Sequence, residues 1–262
     1  MRRFALLLSL FIAAPAVAAG EKIVDNSLLI EEAYNQLAGE VQHVNLIDIE
    51  SGGGWAYSFT QEWPFLSEKH QISYSLPLVH PEHGDTDLGD VGLHYRYQLF
   101  GGASEKVWVA PRATVLLPTG DSDDGTGNGA MGYQVGVPVS VEIHGALTVH
   151  LNSGMTYIPS AEAANGAEHD TLGFNAGAGA VYYITPGFNA LLEVVGTRGG
   201  VVTASGGTSN VSTFFVNPGL RFGTEFSSGL RCVPAISYYH GVGGSHGDNG
   251  VLGYVSFEYA FR

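Results

Sequence analysis

The chain has 262 residues, of which only 14% are charged, 45% are apolar and 37 are Gly. The glycines keep no collagen period, the single Cys232 cannot build a disulfide scaffold, and 13 Tyr, 13 Phe and 3 Trp are too many aromatics for a disordered chain. A net charge of −14 disfavours nucleic acid, whose phosphates it would repel.

Residues 1–19 read as a secretory signal peptide. Arg2 and Arg3 form the positive start, Phe4 to Ala14 is an unbroken apolar or small run, and Ala16-Val17-Ala18 supplies the small-x-small cleavage pattern. Loss of the two arginines takes the net charge from −14 to −16. No later stretch approaches the roughly 18 consecutive apolar residues of a membrane helix. The remainder is nevertheless poor in charge for a secreted soluble protein. A transmembrane β-barrel reconciles these facts, because each strand shows lipid only every second residue.

Residues 20–40 precede the first strand. Asp25, Asn26 or Ser27 would cap a short helix carrying Leu28, Leu29 and Ala33. The segment is either a plug inside the barrel or a periplasmic arm, and the arm is the preferred reading.

From residue 41 onward the dominant pattern is period-two alternation. Runs lie near 41–50, 54–63, 69–79, 87–99, 105–117, 130–143, 146–157, 171–184, 188–199, 212–224, 229–240 and 251–261. The first is irregular, since Ile47 and Ile49 upset the alternation set by Val44 and Leu46. In the sixth, Tyr133, Val135, Val137, Val139, Val141 and Ile143 oppose Gln134, Gly136, Ser140 and Glu142. In the last, Val251, Gly253, Val255, Phe257, Tyr259 and Phe261 oppose Tyr254, Ser256 and Glu258. The expected fold is all-β: an antiparallel transmembrane barrel of twelve strands over residues 41–262, in the outer membrane of a Gram-negative bacterium. Pro111, Pro138, Pro218 and Pro234 fall inside strands, where bulges are expected.

Alternate connections are short, such as His144-Gly145 and Thr185-Pro186-Gly187. Most of those between them are long and polar, such as Asp121 to Asn128, Ser160 to Asp170, Gly199 to Asn210 and Gly241 to Gly250. Short turns on one side and long loops on the other suit an outer-membrane barrel better than a soluble sandwich. Trp55, Trp63, Tyr157 and Tyr182 near strand ends suit interfacial girdles.

Several stretches resemble the outer-membrane proteins grouped with the MetA-pathway phenol-degradation family. They are Ile30-Glu-Glu-Ala-Tyr-Asn-Gln36 with Val41-Gln-His-Val44, Gly89-Asp-Val-Gly-Leu-His-Tyr-Arg-Tyr-Gln98, and Pro111-Arg followed by Leu117-Pro-Thr-Gly-Asp121 and Gly125-Thr-Gly-Asn-Gly. The similarity runs from about residue 28 to the C-terminus. It implies an outer-membrane transporter linked to uptake of aromatic or other hydrophobic compounds. Outer-membrane strands typically end in an aromatic residue, whereas Arg262 follows Phe261 here.

Alternation places Glu62, His94, Arg96, Arg112, Glu142, His150, Glu193, Arg221, Arg231 and Glu258 in the lumen. These residues either line a water-filled path whose opposed charges filter solutes, or pair across the lumen in place of an apolar core. The expected function is passive uptake of small, hydrophobic or aromatic solutes. The expected partners are that small-molecule solute, outer-membrane lipid and lipopolysaccharide, and the barrel-assembly machinery through the C-terminal strand. No catalytic residue, cofactor or dedicated metal site is assigned. A lipid hydrolase would need a Ser, a His and an orienting group in contact and facing lipid, whereas His94, His150 and Asn152 read as lumen-facing. A structural or adhesin barrel would rest on the loops. Asp121, Asp123, Asp124 and Asn128, like His80, His83, Asp85 and Asp87, read as solvated loop groups.

Overall fold

The computed structural model describes residues 22–102 and 104–260. The expected signal peptide at 1–19, and Phe261 and Arg262, lie outside them. Twelve antiparallel strands follow in chain order: β1 (Glu40–Glu50), β2 (Trp55–Phe65), β3 (Ser67–His80), β4 (Asp87–Leu88 and Val91–Tyr97), β5 (Val107–Val109 and Arg112–Leu117) and β6 (Gly132–His144). They continue with β7 (Leu147–Glu162), β8 (Glu168–Thr185), β9 (Phe188–Val202), β10 (Thr208–Phe222, continued by Thr224–Glu225), β11 (Arg231–Gly241) and β12 (Asn249–Ala260).

Each strand pairs with the next, and β1 pairs with β12 from Glu40↔Ala260 to Glu50↔Gly250. The sheet is therefore a closed barrel. Closure leaves no open sheet edge, which is the condition a bilayer sets for backbone without water. The outer face carries exposed apolar side chains, among them Leu93, Val135, Phe174, Ile236 and Phe257. In the irregular first strand, Ile47 and Ile49 join this outer face. Val44 and Leu46 turn inward instead, to an apolar cluster with Leu28, Leu29, Phe215, Ala235, Tyr239, Leu252 and Tyr254.

Two expectations are corrected. Two of the long loops, Ser160 to Asp170 and Gly199 to Asn210, are largely strand: β7 and β8 run for 16 and 18 residues, and β9 and β10 for 15 each. Only residues 163–167 and 203–207 are left as their connections. A bilayer crossing takes about 9–11 residues, so these ladders continue beyond it, where polar Thr, Ser and Asn are at home in water. The prolines also behave differently from expectation. Register passes through Pro138, Pro218 and Pro234 without a shift against either neighbouring strand, although pairing lapses on one side of each. In an antiparallel ladder a residue's N–H serves one neighbour only, so a proline removes one bond and leaves the other side intact. Pro111 lies in the break in β5, whose two pieces keep a common register with β6.

The interior apolar cluster is the main dry contact between the N-terminal segment and the wall. Leu252 is 1% exposed at its centre. Leu252→Ala is expected to lower the unfolding free energy by about 2–5 kcal/mol, measured by denaturant unfolding in lipid vesicles with intrinsic fluorescence as the signal.

Candidate functional site

The described N-terminal residues occupy the half of the barrel nearest the short turns. The chain starts beside the β8–β9 turn, where the Ile23 N–H donates to the Pro186 carbonyl at 3.3 Å. It rises to an apex at Leu28–Glu31 and returns to the same end, where the Ala38 N–H donates to Glu68 Oε1 at 3.1 Å. Ile23, Asp25, Ser27, Leu28, Ile30, Glu32, Ala33 and Gln36 are all buried.

No helix forms in this segment, contrary to the capped helix expected there. The wall takes the amides that a helix would use for itself. Glu193 accepts the N–H groups of Leu28, Leu29 and Ile30 at 3.1–3.2 Å and the Asn217 side-chain amide at 2.7 Å. Asn152 Oδ1 accepts from Glu31, Ser140 Oγ from Ala33, Gln98 Oε1 from Asn35 and Gln71 Oε1 from Gln36. Backbone groups buried away from water need partners, and here side chains on four strands, with Gln98 just past the end of β4, supply them.

Charges complete the attachment. Arg221, 0% exposed, donates to the carbonyls of Ile23, Asp25 and Asn26 and reaches Glu32 Oε1 at 2.9 Å. Arg96 donates to Glu31 Oε1 at 3.0 Å, to Asn35 Oδ1 and to the carbonyls of Glu32 and Tyr34. Arg112 meets the other Glu31 oxygen at 3.1 Å, and Lys22 meets Glu142 at 2.9 Å. Burial alone would push the Glu31 carboxyl up, but Arg112 and Arg96 outweigh it and hold its pKa below the ordinary carboxylate value. Asp25 accepts hydrogen bonds from Gln42, Tyr254 and Ser256 of the wall.

The ten residues expected in the lumen are accordingly divided. Arg231 and Glu258 pair with each other at 2.7 Å, the only ion pair within the strand wall among the described residues. Arg96, Arg112, Glu142, Glu193 and Arg221 bind the N-terminal segment. Glu62 accepts from Gln71 at 2.9 Å. His94 stands in a hydroxyl chain across four strands, Thr60–Ser75–His94–Thr114, with links of 2.7, 3.0 and 2.8 Å. His150 lies between Ser140 at 2.7 Å and Glu32 at 3.6 Å. This is the order of a nucleophile, base and acid, but Ser140 and His150 are both 0% exposed beneath the segment, and the Ser140 oxygen already accepts the Ala33 amide. Sequence reasoning missed Asp25, Glu31 and Glu32, which the segment contributes. Their signal was three acids in a short stretch ahead of a wall that carries four inward arginines.

Above the apex lies a cavity of about 580 Å³. Leu28, Leu29, Ile30 and Glu31 form its floor; Val44, Leu46 and Tyr254 make one side apolar, and Glu62, His94, Arg112, Asn152, Asn175 and Arg198 are on the polar remainder. In the outer loops, Asp90 rather than the Asp121–Asn128 cluster is the organiser, accepting from Gly120 N–H and from both Asn128 nitrogens.

No family model matches the chain, and no curated protein matches it. Solved structures do. The NanC porin is 10% identical, with a TM-score of 0.56 over 84% of this chain and 100% of that one. The transport unit of the autotransporter AIDA-I from Escherichia coli is 12% identical, with a TM-score of 0.48 over 90% of this chain and 95% of that one. A deletion mutant of TodX, a monoaromatic hydrocarbon channel, is 8% identical, with a TM-score of 0.47 over 93% and 96%. At such identities it is the fold, as in the NanC porin, that the chain shares.

Glu193→Ala removes the acceptor of three amides, and a hydrogen bond to a charged group is worth about 1.5–3 kcal/mol. Hydrogen exchange at Leu28, Leu29 and Ile30 is expected to accelerate by at least about tenfold, one power of ten per about 1.4 kcal/mol. Glu258→Ala leaves those amides protected.

Proposed function

We propose that the protein is an outer-membrane channel for passive uptake of small solutes, hydrophobic or aromatic in class, with residues 20–40 acting as its plug and residues 1–19 as the signal peptide that exports it. The closed sheet with an apolar outer face supports the membrane location, and the fold shared with a porin supports transport. The observation that carries the reading is the cavity floored by the chain's own segment. Its volume of about 580 Å³ lies within the roughly 300–1,000 Å³ of sites that enclose small molecules.

A solute enters from the long-loop end and rests on Leu28 and Leu29 against Val44, Leu46 and Tyr254. The polar side, with Arg112, His94 and Glu62, keeps the remaining wall hydrated. Onward passage through the short-turn half requires the segment to shift, since Glu193, Arg96 and Arg221 hold it across the lumen. The family kinship with MetA-pathway outer-membrane proteins rests on the motifs from Ile30 to Gly129. The C-terminal strand would be read by the barrel-assembly machinery, and the outer loops would contact lipopolysaccharide.

The test is single-channel conductance in a planar bilayer, for the mature chain and for the chain lacking residues 22–38. Larger openings on truncation are expected. Silence from both barrels, shown to be folded, would contradict the channel. In the truncated barrel Arg112 and Arg221 face water without their acidic partners. Arg112→Gln with Arg221→Gln is then expected to shift the reversal potential in a salt gradient toward cation selectivity, and an unchanged potential would remove both from the filter.

A further inference from the structure

We propose that apolar solutes leave the barrel sideways, between β10 and β11, into the bilayer; this rests on the channel reading above and specifies its exit. The argument begins with the backbone. Pairing between these strands includes Gly219↔Ser237, Leu220↔Ile236 and Arg221↔Ala235, and resumes at Thr224↔Cys232. It drops out where Asn217 and Pro218 face Tyr238 and Tyr239, and again where Phe222 and Gly223 face Val233 and Pro234. Over the same residues β10 keeps an unbroken register with β9, and β11 with β12. Two prolines on different strands have thus withdrawn their donors from one shared seam. Beyond Phe215 the ladder ends after one backbone bond, from the Val242 N–H to the Phe214 carbonyl, and the Phe214 N–H turns to Ser245 Oγ; β10 continues to Thr208 paired with β9, while β11 stops at Gly241. Fewer bonds make this seam part more readily than the seams on either side of it, β9–β10 and β11–β12.

The side chains point the same way. On the inner face the facing pair is Gly219 and Ser237, so the wall is thin there. A Cβ on Gly219 would stand 2.9 Å from Ser237 Cβ and 3.1 Å from Leu28 Cδ1, which shows that Leu28 of the plug covers the seam from within. The cluster that contains Leu28 also takes in Phe215, Ala235 and Tyr239 from these two strands. Leu28, Leu29, Val44, Leu46 and Tyr254 belong to both that cluster and the cavity lining. A continuous apolar surface therefore runs from the cavity floor to the inside of the seam. Asn217 Oδ1 and Ser237 Oγ, buried on this inner face, have no hydrogen-bond partner among the described residues. Outside, Pro218, Leu220, Ile236 and Tyr238 face lipid. An apolar solute follows this surface, displaces Leu28 and passes between the strands without crossing the charged half of the lumen.

The experiment is uptake of radiolabelled naphthalene by intact cells carrying the full-length protein, with Cys232→Ala as the background. Gly219→Cys with Ser237→Cys places a disulfide across the seam. Val149→Cys with Ala180→Cys places one across the seam between β7 and β8, which is continuous from Thr171 to Tyr182 and holds those residues in register. Pro218→Val with Pro234→Val restores both donors and adds nothing inside the barrel. The expected result is loss of uptake to the level of cells without the protein for the seam disulfide, recovery on reduction, wild-type uptake for the control disulfide, and slower uptake for the double valine variant. Wild-type uptake with the seam disulfide formed would overturn the proposal, as would equal loss from both disulfides. Ion conductance by the chain lacking residues 22–38 together with no naphthalene uptake by the full-length protein would also overturn it, while leaving the channel standing.

Discussion

The inner wall of this barrel carries ionised groups that it does not pair within itself, and the N-terminal segment supplies the missing partners. A buried charge without a counter-charge costs several kcal/mol, and removing one partner of a buried pair costs about 3–5 kcal/mol. With the segment in place Arg96 and Arg221 are buried and would each be in that position without its carboxylates, and Arg112 would be left with water alone. Glu31 and Glu32 answer them. Glu193 has no cation beside it and is satisfied by three backbone amides and Asn217 instead. The location of the segment follows from this wall chemistry more than from any conformational preference of its own.

Two consequences run outward from that arrangement. Because the wall accepts its amides, the segment stays extended and irregular, and its apex projects Leu28 and Leu29 toward the long-loop end. Because Glu31 sits at the apex beside Arg112, the floor of the cavity is charged on one side and apolar on the other. Ile30 passes close to β8, where Gly177 and Gly179 leave it room: a Cβ at Gly179 would lie 3.4 Å from Ile30 Cβ. Glycines on the inner face are here a means of letting backbone approach backbone inside a narrow barrel.

Much of the fold was legible because a lipid-facing strand has a strict period. The valines and tyrosines from Tyr133 to Ile143, and the row from Val251 to Tyr259, can be read in only one way. The inward placement of Arg96, His150, Glu193 and Arg221 follows from the same parity. What alternation does not encode is the partner of an inward side chain, since that depends on a segment remote in sequence with no period of its own. Asp25, Glu31 and Glu32 carry no signature beyond their charge, and a helical reading of residues 25–33 was natural from capping residues alone. Strand ends were also obscure, because Thr, Ser and Gly beyond the membrane look like loop whether or not they stay in the ladder. Pro218 and Pro234 suggested bulges singly; only the register reveals that both face one seam.

The account turns on the position of the segment inside the barrel, and one bond tests that directly. Ile30→Cys with Gly179→Cys, in the Cys232→Ala background, places two cysteine Cβ atoms 3.4 Å apart, near the roughly 3.5–4.5 Å of a disulfide. The bond is predicted to form nearly completely in the folded barrel in its membrane, read by mass spectrometry of the joined peptides. Two free, reactive thiols in a folded barrel would place the segment elsewhere and contradict the account.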